Sequence, residues 1–178
     1  MGAGKTSVGR ALGQRLNWLF EDLDDRIEQR EGRRVADIFR DSGEIAFRAA
    51  EHAALNAVLD ELRNGEYKIV ALGGGAFAQP KNAALLSHAG VATVFLEAPV
   101  EELWARCSRQ AAETGAERPL LRSLEQFRQL HNERRKSYAE ALTIVKTGAR
   151  TVEDIAAEIA QSLGLKQITI RVEQGDVE

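Results

Sequence analysis

The stretch Gly2-Ala3-Gly4-Lys5-Thr6-Ser7 constrains this chain more than any other part of it. It fits the end of the pattern G-x-x-x-x-G-K-[ST], a loop that runs from a strand into a helix and wraps its backbone N–H groups around phosphate oxygens. Glycines permit the inward turn, and the helix that follows adds the positive end of its dipole. Lys5 is placed to reach β- and γ-phosphates, and the Thr6 hydroxyl to ligate Mg²⁺. The motif is incomplete. Its first glycine would fall two residues before Met1, together with the strand that feeds the loop. The expectation is a sheet whose first central strand is missing, through a start assigned one strand late or a cropped chain. The competing reading is a flexible, glycine-rich terminus ahead of a helix.

The rest of the chain alternates apolar strands with amphipathic helices, which predicts a parallel sheet flanked by helices. Val8, Ala11, Leu12 and Leu16 recur at helical spacing behind the loop. Trp18-Leu19-Phe20 reads as a buried strand ending in the acids Glu21-Asp22-Leu23-Asp24-Asp25, with Asp24 or Asp25 capping a helix that Gly32 stops. A short helix over 35–41 and a long one carrying Phe47, Leu55, Val58, Leu59 and Leu62 follow, divided at Gly43. Lys68–Leu72 is a second strand and leads at once into Gly73-Gly74-Gly75. Ala92–Leu96 and Leu142–Lys146 are the third and fourth. Ser123 with Gln126 and Thr151 with Asp154 start helices. The polar segment 108–122, with Gly115 and Arg118-Pro119, reads as a mobile loop. In the tail, Ile168 to Val172 alternates like a strand, either extending a sheet edge or lying where the first strand is missing.

With 178 residues, 44% hydrophobic and 29% charged, one globular domain is expected. A net charge of −3 argues against nucleic acid and anionic membranes as partners. Cys107 is the only cysteine, which excludes an intrachain disulfide and suits a reducing compartment. No apolar run approaches the length of a membrane span, and no signal peptide is recognisable, so a cytoplasmic location is expected. Asp22 and Asp24, two apart, would share one side of an extended segment and suit a pair divided between Mg²⁺ and an acceptor hydroxyl. The triple glycine lies at the same sheet edge as the phosphate loop, where a backbone without side chains can approach a ligand.

In this order, Gly-Ala-Gly-Lys-Thr, Asp22-Leu23-Asp24, Gly43-Glu44, Phe47-Arg48 with Glu51, Gly73-Gly74-Gly75, Arg118-Pro119-Leu120-Leu121 and Arg134 with Tyr138 resemble the shikimate kinases. These are small-molecule kinases of the nucleoside-monophosphate-kinase-like group. The resemblance runs from Met1 to about Leu163 and departs at the absent first strand and the tail. It implies a three-layer α/β P-loop kinase domain over 1–164, an acceptor-binding segment near 24–50, a lid near 108–122, and an extension at 165–178. It implies ATP and shikimate as substrates, Mg²⁺, transfer to the 3-hydroxyl in aromatic amino-acid biosynthesis, and a monomer. Gly2, Ala3, Gly4, Lys5, Thr6 and Ser7 would hold the ATP phosphates, and Asp22 a magnesium-bound water. Asp24 would contact the attacking hydroxyl and serve as general base, and Arg48 and Arg134 would take the shikimate carboxylate. Gly73, Gly74 and Gly75 would line the acceptor, Arg118 would swing onto the transferring phosphoryl group, and Arg106 and Arg150 would sit beside adenine. Bland readings stand beside these: helix caps for the aspartates, surface pairs for single arginines, a tight turn for the glycines. Arg135 competes with Arg134 as a single helical arginine, and the spacing to Tyr138 with the family pattern favours Arg134. Two rivals remain, another kinase of this fold such as a gluconate kinase, and a non-catalytic nucleotide-binding module.

Overall fold

Residues 2–114 and 123–167 are described by a computed structural model. Their elements run α1 (Lys5–Leu16), β1 (Leu19–Asp22), α2 (Leu23–Glu31), α3 (Val35–Arg63), β2 (Lys68–Ala71), α4 (Pro80–His88), β3 (Val94–Glu97), α5 (Val100–Thr114), α6 (Leu124–Tyr138), β4 (Thr143–Lys146) and α7 (Val152–Ser162). The strands pair in parallel, β1 with β2 from Leu19 opposite Lys68 to Asp22 opposite Ala71, and β3 with β4 from Val94 opposite Thr143 to Glu97 opposite Lys146. Parallel pairs need crossovers, and helices supply them here.

Successive residues of β2 face opposite ways and so define the layers. Ile69 packs with Val8, Leu12, Leu16, Ile155 and Ile159 of α1 and α7. Val70 and Leu72 pack with Leu55, Val58 and Leu59 of α3 and Leu86 of α4. Each such buried side chain contributes about 1.5–3 kcal/mol. A third cluster, Leu103, Cys107 and Phe127 with Trp104, fastens α5 to α6 beside Ala3. The result is the expected three-layer α/β arrangement, with helices on both sides of parallel strands.

The two strand pairs do not join among the described residues. An apolar cavity of about 480 Å³ is lined by residues of both pairs and of the flanking helices, Leu12, Leu55, Ile69, Val70, Val94 and Phe95 among others. Residues 168–178, for which two placements were expected, lie outside the described residues, and so does Arg118.

Several local expectations need correction. The cap of α2 is Asp22, whose Oδ1 accepts from the Asp24 backbone N–H at 3.1 Å, and not Asp24 or Asp25. Asp22 therefore ends a strand while Asp24 sits in the first helical turn, so the two do not share an extended segment. β1 is not a buried strand: Leu19 is 64% exposed, because only one side of β1 has a partner. α5 continues to Thr114, since 108–114 holds no glycine or proline to stop it. The expected division at Gly43 does hold: α3 is two helical stretches interrupted by that residue, whose non-helical φ 78° and ψ 175° supply a conformation that side chains resist.

Candidate active site

The site forms where α1 begins and where β1 and β2 end. Gly4 caps α1 at φ 82° with no side-chain cap, so the first-turn N–H groups of Lys5, Thr6 and Ser7 face the loop. Gly2, at φ 69°, lies so close to α5 that a β-carbon there would stand 2.7 Å from the Leu103 carbonyl oxygen and 2.9 Å from Cys107 Sγ. Both glycines are required by the turn itself. Across the loop, Thr6 Oγ1 donates to Asp22 Oδ2 at 2.9 Å. A hydroxyl and a carboxylate converging at a helix N-terminus form an all-oxygen donor set of the kind a hard divalent cation takes together with phosphates and water.

Asp24 stands behind this pair. Burial first, and the neighbouring Asp22 carboxylate second, push its carboxyl up to about 6, against the pull of the Lys5 ammonium. Its Oδ1 is buried and has no hydrogen-bond partner among the described residues. An orphaned acceptor on a carboxyl raised to about 6 suits a ligand hydroxyl, because such a group is ionised at neutral pH yet more basic than an ordinary carboxylate.

The triple glycine is explained by close approach and not by φ, since none of the three lies in the left-handed region. A β-carbon on Gly73 would stand 2.6 Å from Asp24 Oδ1, and one on Gly75 2.8 Å from both terminal nitrogens of Arg48. Arg48 in turn donates to Glu51 at 2.9 Å and to Glu44 at 3.0 Å. Glu51 is fully buried, its carboxyl is raised by that burial, and its second oxygen is orphaned. From α6, Arg134 donates to the Gly74 carbonyl at 2.8 Å, joined by the Tyr138 hydroxyl. Arg135 points elsewhere, pairing with Glu97 at 2.8 Å. Geometry thus separates the two neighbouring arginines, on the side that the spacing to Tyr138 favoured.

Lys5, Thr6, Asp22, Asp24, Arg48, Gly73, Gly74, Gly75 and Arg134 therefore share one edge of the sheet. Arg106 and Arg150 do not join them through their observed contacts: Arg106 pairs with Glu102, and Arg150 with Glu158 and the Lys146 carbonyl. Glu51 and Tyr138 are members whose part sequence reading did not assign. Only the three-residue step from Arg48 and the four-residue step from Arg134 signalled them.

The family model for shikimate kinase matches residues 1–164. The chain belongs to the shikimate kinase family. A shikimate kinase of Geobacter metallireducens is 43% identical over 162 residues, covering 89% of this chain and 85% of the relative. Among solved structures, a shikimate kinase from Acinetobacter baumannii in complex with shikimate superposes with a TM-score of 0.80 at 35% identity, covering 92% of this chain and 88% of the other. A gluconokinase from Sinorhizobium meliloti, at 20% identity and a TM-score of 0.54, shares the fold alone. Within the shikimate kinase family, the P-loop kinase fold accounts for the phosphate loop and the parallel strands described above. Among the described residues no helix is long and apolar enough to cross a membrane.

Proposed function

We propose that this chain transfers the γ-phosphoryl group of ATP to the 3-hydroxyl of shikimate, as a cytoplasmic monomer serving aromatic amino-acid biosynthesis. The observation that carries this is the position of Asp24. Its orphaned carboxylate oxygen lies between the phosphate loop, felt through Lys5, and the glycine turn on which Arg48 and Arg134 converge.

Gly2 to Ser7 would cradle the phosphates, with Lys5 neutralising β- and γ-oxygens. Thr6 and Asp22 are the residues that would hold Mg²⁺, which when bound supplies further positive charge to the phosphate oxygens. Arg48 and Arg134 would clamp the carboxylate of shikimate as a bidentate pair, and the backbone of Gly73 to Gly75 would approach its ring. Asp24 would accept the proton of the 3-hydroxyl as that oxygen bonds to γ-phosphorus and the bond to the β–γ bridging oxygen breaks, leaving ADP. Arg118 is the proposed lid arginine, and Arg106 and Arg150 the adenine-side pair. Positioning and charge, and not a covalent intermediate, supply the acceleration.

A coupled assay of ADP release tests the reading. Shikimate-dependent turnover with Mg²⁺ is expected; turnover with gluconate in its place would replace the acceptor. Binding of Mg-ATP without turnover on any acceptor would leave a nucleotide-binding module.

A further inference from the structure

The Gly74 carbonyl is held twice, by Arg134 at 2.8 Å and by the Tyr138 hydroxyl. Both donors belong to α6 and stand four residues apart, on one face of the helix. The tyrosine is aimed independently of the glycine turn. Its ring packs on Phe95 of β3 with ring centres 5.2 Å apart.

Arg134 has two claims on it. A guanidinium presents its donors as one rigid planar fork, so a bidentate grip on a substrate carboxylate fixes where every N–H points. While Nη1 is bonded to the Gly74 oxygen, part of that fork is committed to backbone. Turning fully to a carboxylate would strip the carbonyl of this donor, and a half-buried carbonyl without a donor is costly. Tyr138 removes the cost, because its hydroxyl stays on the same oxygen.

We propose that Tyr138 is a positioning residue for the acceptor: it keeps the Gly74 carbonyl satisfied when Arg134 turns to the substrate carboxylate, and so holds the glycine turn in its receptive shape. The proposal deepens the shikimate reading and rests on it. The hydroxyl donates to backbone and does not itself touch the reacting atoms.

Titration calorimetry of shikimate and of Mg-ATP into the 178-residue chain, Tyr138→Phe, Arg134→Ala and the double variant tests it. Tyr138→Phe keeps the ring on Phe95 and removes only the donor. Its shikimate Kd is expected to rise roughly five- to tenfold, the loss of one ordinary hydrogen bond, with Mg-ATP affinity unchanged. In the Arg134→Ala background the same change should have almost no effect, since no guanidinium remains to be released. Equal effects in both backgrounds would make the tyrosine merely structural and overturn the proposal, as would an unchanged Kd or a parallel loss of Mg-ATP affinity. An unsubstituted chain that binds Mg-ATP but not shikimate would overturn the acceptor reading itself, and this proposal with it.

Discussion

Gly73 packs directly on Asp24: a β-carbon at Gly73 would lie 2.6 Å from Asp24 Oδ1 and 3.5 Å from its Cγ. Because Gly73 is not at positive φ, the effect of alanine there would fall on its neighbours, first on the Asp24 carboxylate and less on Glu51 Oε1 at 3.3 Å. Gly73→Ala should therefore displace Asp24 and lower kcat by about 100-fold, the usual penalty for a misplaced reacting group. Mg-ATP affinity should hold. A normal kcat would show that Asp24 can work from elsewhere.

The raised Asp24 carboxyl gives two pH dependences of opposite sign. Its folded value of about 6 exceeds the ordinary 3.8. The folded chain then binds more protons than the unfolded one between those values, so this group's contribution makes stability decline as pH rises through that window. Activity should run the other way, because only the ionised carboxylate accepts a proton. The rate kcat/KM for shikimate should rise with a midpoint near 6. Asp24→Asn should abolish that limb and cost about 10²–10⁴ in kcat. A pH profile unchanged by the substitution would remove Asp24 from the chemistry.

Arg48, proposed to hold the acceptor carboxylate, also serves the fold through its pair with Glu51. Glu51 is fully buried and Arg48 is its ion-pair partner at 2.9 Å, so Arg48→Ala strands a buried charge. Breaking such a pair costs about 3–5 kcal/mol. Arg48→Ala should lower Tm and weaken shikimate together. Adding Glu51→Gln should return most of the Tm without restoring shikimate affinity. Recovery of both would place Arg48 outside the acceptor site.

Much of this was legible in the sequence because it depends on local chemistry. The phosphate loop, the helix starts at Ser123 and Thr151, and the four strands follow from glycine placement, caps and apolar runs. What was not legible depends on which groups meet across the fold. Spacing to Tyr138 and the family pattern favoured Arg134 over Arg135 without giving the reason, which is the Gly74 carbonyl sixty residues away that takes both Arg134 and the Tyr138 hydroxyl. The three glycines read as room for a ligand to approach the backbone, whereas the carboxylate of Asp24 and the guanidinium of Arg48 already occupy the space that β-carbons at Gly73 and Gly75 would need. Asp24 read both as the acceptor contact and as a candidate cap; Asp22 takes the capping and leaves Asp24 buried with its carboxyl raised to about 6.

The double duty of Asp22 permits a last test that separates fold from chemistry. Asp22 caps α2 through Oδ1 and meets Thr6 through Oδ2. Asparagine caps helices about as well as aspartate, so Asp22→Asn should leave Tm nearly unchanged, whereas Asp22→Ala should lose about 1 kcal/mol. The asparagine variant still loses the negative charge proposed to hold Mg²⁺, and the Mg²⁺ concentration for half-maximal turnover should rise about 10–100-fold. It also removes the neighbouring charge that helps raise Asp24, so the acid limb of kcat/KM should move to lower pH. An unshifted limb together with an unchanged Mg²⁺ requirement would reduce Asp22 to a helix cap.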